Sequence, residues 1–500
     1  MTQDALLPEW TRIGQASGLD PLGMARPTET IYQSLLPGIS TITNRLRYYS
    51  FLPWVLDIYA NRFHIPDPEE FFKFQRRCEA LFALAGVSNM YDNGLSGANW
   101  ASALVNTSGE TINFGATAEN TDGTGYLKNR GGALGALYGP QLREMGLVGS
   151  SQNHALAVVT SRGENLAQSL RKTLSDTLEN FADCVEVGSV TRSELEALSV
   201  LRPSDIAADT PEQESLANLL LGQMENPLAE DLARRKTMLR ILDWCRDHNR
   251  FPSADDLRWD WFEIGWTSQK PNEESMDPWC VYQANDLLRL AYEALLKRAL
   301  EVISACPDRS CRPGQLSELV FETLGNEILS SDFWLNTPAP SQLKTASEAI
   351  TRNGDPLTAI SDEALHSAVL IIQTITEWTH INADKLETLF PNTPQFQSIL
   401  SELNFIMGLA HQNTRHVLEH ILKERVIKRH LWVASRKFRG QSAYTFLLEP
   451  DEGQLRYRGN FIVTPNNPRL VQAIQFLQDA CLLEEEIGLS ELGRKALEAA

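Results

Sequence analysis

The spacing of apolar residues most limits what this chain can fold into. Over most of its 500 residues they recur three and four apart, and strict alternation is concentrated at 442–463. A period near 3.6 lets a helix bury one stripe, whereas alternation suits a half-buried strand. The expectation is therefore a mainly α, multi-helical protein. Cap signals support it: Asp67-Pro68 opens the aromatic-rich stretch 67–86, Thr160 precedes a long helix over 161–181, and Thr191, Ser204 and Thr210-Pro211 start shorter ones. Around Pro450-Asp451-Glu452-Gly453, the runs 442–449 and 454–463 read as a β-hairpin.

Glycine punctuation breaks the helical pattern once, over 89–139, where ten glycines make a loop-rich insertion with one short helix expected at 98–105. A connection rich in Pro, Ser and Asn is expected at 335–342. The chain divides by these signals into an N-terminal helical domain at 1–185 carrying the insertion, a central helical domain at 186–400, and a C-terminal part at 401–500. The last holds a basic helix, the hairpin and two further helices, at 468–483 and 490–499.

A weak internal repeat joins two distant segments. Residues 142–168 read Leu-x-x-x-Gly-Leu-Val, a spacer, then Val159-Thr160-x-x-Gly163-x-x-Leu166-Ala167. Residues 477–497 read Leu-x-x-x-Cys-Leu-Leu, a shorter spacer, then Leu489-Ser490-x-x-Gly493-x-x-Ala496-Leu497. In each, a helix ends in an apolar pair, a turn or wing follows, and Thr or Ser caps another helix. The pattern resembles the closing half of winged-helix domains, which implies such a module at the C-terminus and a second such element near 133–182. A helix, turn and capped helix recurring by chance is the other reading.

Charge narrows the choice of partners. Forty-five Lys and Arg against 64 Asp and Glu give a net charge of −19, which opposes wrapping of nucleic acid by the surface as a whole. The sign reverses at 423–439, where Lys423, Arg425, Lys428, Arg429, Arg436, Lys437 and Arg439 face a single acid, Glu424. On a continuous α-helix, Arg425, Lys428, Arg429, Arg436 and Arg439 fall within a sector of about 100° together with Trp432. Val426, Ile427, Leu431 and Ala434 point the other way. Such a cationic face with an aromatic suits phosphate neutralisation with base or sugar stacking, and Arg456 and Arg458 on the adjacent hairpin extend it. A solvated face paired with this protein's own acids, or with an acidic partner, is the alternative. Phosphate contacts of this kind position and do not read sequence.

Other constellations point away from chemistry. His416-Val417-Leu418-Glu419-His420 matches the H-x-x-E-H zinc pattern, but only eighty residues follow it, and they read as a hairpin and two helices. Gly131-Gly132-Ala133-Leu134-Gly135 lacks the Gly-Lys-Ser/Thr ending and the preceding strand of a phosphate loop, so it reads as a turn. Trp259, Trp261, Trp266 and Trp279 are irregularly spaced and are expected in the core. The seven cysteines are scattered without a C-x-x-C pair, so free thiols in a reducing compartment are expected and a zinc site is not. No catalytic residue, metal site or cofactor is expected. Absence of a signal-peptide pattern and of a long apolar run predicts a cytoplasmic chain with no membrane partner.

One segment resembles a known family. Residues 35–59 run Leu-Leu-Pro-Gly-Ile-Ser-Thr-Ile-Thr-Asn-Arg-Leu-Arg-Tyr-Tyr-Ser-Phe-Leu-Pro-Trp-Val-Leu-Asp-Ile-Tyr. They resemble the opening of a bacterial family carrying (Leu/Phe)-Pro-Gly-x-(Ser/Thr)-x-x-(Thr/Gln)-x-Arg-x-Arg-Tyr-(Tyr/Phe). Its members tend to be encoded beside helicases, nucleases or ATPases of phage-defence islands. Arg45, Arg47, Tyr48 and Tyr49 carry the match, and the family supplies no catalytic residues. Arg45 and Arg47 are a secondary phosphate-contact candidate, with a domain-specific core helix as the other reading. The resemblance implies a subunit of a bacterial antiviral defence complex; with the basic segment it gives the expectation of a non-enzymatic subunit, monomeric or oligomeric, that contacts DNA through 423–439 and a helicase, nuclease or SMC-like ATPase through its acidic helical body. A kleisin-like structural adaptor and a nucleic-acid-processing enzyme with a site assembled only in the fold are the alternatives.

Overall fold

A computed structural model describes residues 20–62, 67–88, 93–267, 276–334, 339–352, 355, 358–390, 396–409, 412–441 and 444–499. The expected connection at 335–342 lies in part outside the described residues, as do the first residues of the glycine-rich insertion and of the hairpin's leading run. The chain is mainly helical, and its strands form small antiparallel sheets, one three-stranded and the others two-stranded. Among the described residues no helix is long and apolar enough to cross a membrane. All seven cysteines are free.

The chain forms two compact units, each drawn from separated segments. One comprises Arg258–Asn466 with the residues up to Ile31; the other comprises Tyr32–Leu257 with Asn467–Ala500.

The first unit is built on the helix Pro278–Ala305. Asp277 caps it by accepting from the Trp279 amide, and Pro278 fits the first turn, where a missing N–H costs nothing. This helix is buried over nearly its whole length, as a helix at the centre of a bundle is. Its buried charges are mutually satisfied: Arg289 donates to Asp286 and Glu293, both at 2.8 Å. The helices Pro340–Thr351 and Asp362–Ile381 pack around it. Trp259, Trp261, Trp266 and Trp279 are all buried here, as expected, with Trp266 stacked on Trp378 at 5.1 Å.

The hairpin forms in this unit, with Leu448–Asp451 paired to Gln454–Tyr457. Glu452 and Gly453 both have positive φ, the geometry of a two-residue turn that matches strand twist. A third strand, Ser310–Cys311, pairs with Gln454–Tyr457, a partner that no local pattern announced.

The second unit opens with the family-like segment. Gly38 sits at φ 77°, and Tyr49 donates to its carbonyl at 2.6 Å. The helix Pro68–Val87 then begins as its cap predicts, with Asp67 accepting from the Glu69 and Glu70 amides. That helix organises the glycine-rich insertion. Buried Arg76 donates to the carbonyls of Ala118, Asn120, Leu127 and Asn129. Buried Glu79 accepts from the amides of Ala133 and Leu134 at 2.7 and 2.9 Å.

Both copies of the repeat fold the same way, and both lie in this unit. The helix Gly139–Glu144 leads through Gly146, at positive φ, into Val148–Ser150, Ala157–Val159 and the helix Ser161–Val187. The helix Leu470–Asp479 leads through Cys481, also at positive φ, into Leu483–Glu484, Gly488–Leu489 and the helix Glu491–Glu498. The Leu147 amide donates to Leu142 at 2.8 Å, and the Leu482 amide to Leu477 at 2.9 Å. Thr160 Oγ1 donates to Gly146 and Ser490 Oγ to Cys481, each at 2.7 Å. The same oxygens cap Gly163 and Gly493. A Cβ on Gly163 would strike the Leu147 carbonyl oxygen, and one on Gly493 the Leu482 carbonyl oxygen. The glycine in each copy is thus dictated by a helix passing close over a strand backbone.

Candidate nucleic-acid interface

The basic segment lies in the first unit, and its helix departs from the expected geometry. Ile421–Ile427 is π-helical, and regular α-helix runs only from Lys428 to Gln441. A π turn carries an extra residue, so it shifts everything before it out of the phase a 100° wheel assigns. Arg425 is accordingly not part of the outer stripe. Its guanidinium lies 3.3 Å from buried Glu402 and 4.1 Å from the centre of the Phe405 ring. Burial pushes the Glu402 carboxyl up, and Arg425 pulls against that shift.

The α-helical part is fixed from beneath. Val426, Ile427, Val433 and Ala434 are buried, and so is His430. The His430 ring reaches the Pro21 carbonyl with Nδ1 at 3.1 Å, while Nε2 accepts from the Leu447 amide at 2.9 Å. Burial holds its pKa down at about 4, so the ring is neutral and bridges two segments far apart in sequence. Sequence reasoning gave His430 no role, although a histidine on the apolar side of a cationic helix was visible.

Several of the predicted cations are committed to the protein. Arg429 donates to the Leu22 carbonyl at 3.0 Å, and burial lowers its pKa. Lys428 pairs with Glu424 at 2.7 Å, and Lys437 donates to the Asp20 carbonyl at 3.0 Å. On the hairpin, Arg456 pairs with Asp451 at 2.9 Å and Arg458 with Glu449. The reading of a basic face satisfied by the protein's own acids therefore describes part of this surface.

What is left exposed is a stripe. Lys428, Trp432, Arg436 and Arg439 are all exposed, at spacings of four, four and three residues that stack them along one side of the helix. Among the described residues neither Arg436 nor Arg439 has a carboxylate partner; Arg439 makes only a 3.4 Å contact to its own helix at Ser435. Trp432 is 38% exposed, with the Arg429 and Arg436 guanidinium carbons 4.4 and 5.1 Å from its ring centre. Phe438, 52% exposed, lies on the same helix and was not singled out from the sequence, although an aromatic among Arg436, Lys437 and Arg439 was there to see.

The secondary candidates lie elsewhere. Arg45 and Arg47 are buried in the second unit, where Arg45 pairs with Asp479 at 2.7 Å and Arg47 with Glu212 at 2.8 Å. Arg47 also donates to the carbonyls of Val200, Arg202 and Asp205. Their charge is spent inside the fold, which corrects the phosphate-contact expectation in favour of a core role, although both lie just before the helix Tyr48–Arg62 and not on it.

The remaining motifs are occupied by structural contacts. The His416 and His420 rings pack at 4.2 Å, and His420 Nδ1 lies 2.9 Å from the His416 carbonyl. Glu419 lies 3.9 Å from Arg415. Among the described residues no cluster of three or more His, Cys, Asp or Glu is placed to hold a metal ion. The turn at Gly131–Leu134 does present amides to an anion, but that anion is the Glu79 carboxylate. Comparison of the chain with family models, with curated proteins and with solved structures gave no match.

Proposed function

We propose that this chain is a non-enzymatic subunit of a bacterial antiviral (anti-phage) defence complex, one that contacts DNA without sequence specificity. The observation that carries the DNA contact is the exposed stripe Lys428–Trp432–Arg436–Arg439, a cationic surface on a chain of net charge −19. The defence setting rests on the resemblance of residues 35–59, as does a helicase, nuclease or SMC-like ATPase as partner.

The paired motifs of the second unit support assigning nucleic acid to the stripe. In a winged-helix reading, the helix before the two strands would enter a groove. In the C-terminal copy that helix, Leu470–Asp479, is buried at Leu470, Gln472, Ala473, Ile474, Phe476, Leu477 and Asp479. Its strand connection carries exposed Glu484, Glu485 and Glu486, which would repel phosphate. This copy suits scaffolding, and that favours as second reading a kleisin-like adaptor whose partner is an ATPase.

The test is a gel shift of full-length protein on duplex and single-stranded DNA at low salt. Binding that falls with salt and is lost in the triple variant Lys428→Glu, Arg436→Glu, Arg439→Glu supports the reading. Wild-type protein that binds neither DNA at low salt refutes it. Co-purification with an ATPase in that case favours the adaptor.

A further inference from the structure

Resting on the proposed nucleic-acid contact, we infer that the stripe is built for a single strand and not for a duplex, with Trp432 as the base-stacking platform. Trp432 is left 38% exposed on a helix whose inward residues Val433 and Ala434 are buried, so core packing alone does not account for its place. A duplex hides its base faces and would offer this ring only backbone. A single strand offers base faces, which stack on aromatics whatever the sequence.

The cations are arranged to serve that ring. Lys428 and Arg436 lie one turn to either side of Trp432, and Arg439 two turns beyond it, so phosphates running along the stripe pass cations at each step. Arg429, tethered to the Leu22 carbonyl, holds its guanidinium 4.4 Å from the ring centre and steadies the indole. Arg436 is exposed and has no carboxylate partner among the described residues, so it can turn from the ring to a phosphate as a base arrives. Phe438 gives a second exposed aromatic face on the same helix.

The other anionic surfaces fit less well. Insertion into a lipid surface needs a continuous outward apolar face; here Val426, Ile427, Val433 and Ala434 are turned into the core, and the exposed Trp432 and Phe438 stand among Lys428, Arg436 and Arg439. An acidic peptide would use the cations and leave the indole without a stacking partner.

Fluorescence anisotropy of the full-length chain decides the matter, using labelled oligothymidylate of about twenty nucleotides, a duplex of equal length, and polyglutamate as competitor. Wild type is expected to bind oligothymidylate more tightly than duplex. Trp432→Ala is expected to weaken oligothymidylate binding roughly tenfold with duplex binding little changed, and Trp432→Phe to restore most of the loss. Circular dichroism and melting of both variants verify that the exposed site leaves the fold intact. Trp432→Ala binding oligothymidylate as wild type does, while Arg436→Glu abolishes binding, overturns the single-strand inference and leaves the phosphate stripe standing. Polyglutamate competing as well as unlabelled oligothymidylate also overturns it, in favour of an acidic protein. Failure to bind either DNA removes the proposed function itself.

Discussion

Replacing Arg47 separates a structural role for the family-like segment from a contact role. Its side chain is almost fully buried, and its guanidinium donates to both Glu212 oxygens, at 3.0 and 2.8 Å, and to three carbonyls. Arg47→Met removes all five donors and leaves Glu212 buried, with Ser50 Oγ, at 2.8 Å, as its remaining hydroxyl donor. Breaking a buried pair from one side costs about 3–5 kcal/mol, because the surviving charge has lost its counterpart. At about 2–4 °C per kcal/mol for a unit of this size, the thermal midpoint falls by roughly 10 °C. The double variant Arg47→Met, Glu212→Leu removes both charges and is expected to recover more than half of that loss. Differential scanning calorimetry of wild type, both single variants and the double variant reads the cycle, and anisotropy of the folded fraction reads nucleic-acid affinity. A single variant that melts within about 1 °C of wild type, or a double variant less stable than the single, refutes the reasoning. Lost affinity at unchanged stability would return Arg47 to the binding surface.

Three further outcomes follow from the geometry. Gly163→Ala and Gly493→Ala each drive a methyl into a strand carbonyl and should cost about 3 kcal/mol, while Gly440→Ala, with open space around it, should be neutral or stabilising by about 0.5–1 kcal/mol in urea melts. Glu79 is fully buried, and burial raises its pKa to about 7 from an ordinary 4.5. The folded state therefore holds this proton more tightly than the unfolded one. Its contribution is fully present below about pH 4.5 and is lost as pH rises through about 7, a change of about 3 kcal/mol that Glu79→Gln should remove from the pH profile of stability. If Lys428, Arg436 and Arg439 each neutralise one phosphate, the log–log salt slope for a single strand should be about −2, and Arg436→Gln should make it shallower by about 0.7.

What could be read from the sequence was whatever is decided within a few residues. Asp67, Thr160 and Ser490 cap helices because a short polar side chain reaches an amide two or three positions on. The hairpin turns at Glu452-Gly453 because Gly453 takes positive φ at no steric cost, with Glu452 at φ 47° beside it. The repeat was visible because the same close helix approach demands glycine at the same offset from the capping residue. Sequence could not tell which distant acid meets which cation. Arg47 and Glu212 are 165 positions apart, and Arg45 and Asp479 are 434 apart. Nothing local distinguishes Arg47, buried, from Arg436, exposed. The π segment at Ile421–Ile427 was equally silent, and it alone removed Arg425 from a stripe that an ideal helix would have given it.

The pairing of cations inside the fold bears directly on the proposed role. Of the seven in 423–439, Arg425, Lys428, Arg429 and Lys437 are each held by Glu402, Glu424, Leu22 or Asp20, and Lys423 lies 3.9 Å from Glu424. Two arginines and a half-neutralised lysine would release few counterions, so the proposed contact would be weak and would depend on salt only modestly. The net charge of −19 on the chain as a whole would disfavour a strand elsewhere while adding no strength to the proposed contact. On the proposed role, such a chain would bind usefully only when a partner holds the same strand nearby and supplies the effective concentration that its own few contacts lack. That role predicts that affinity in the assembled complex exceeds that of the isolated chain by far more than any change at the stripe itself.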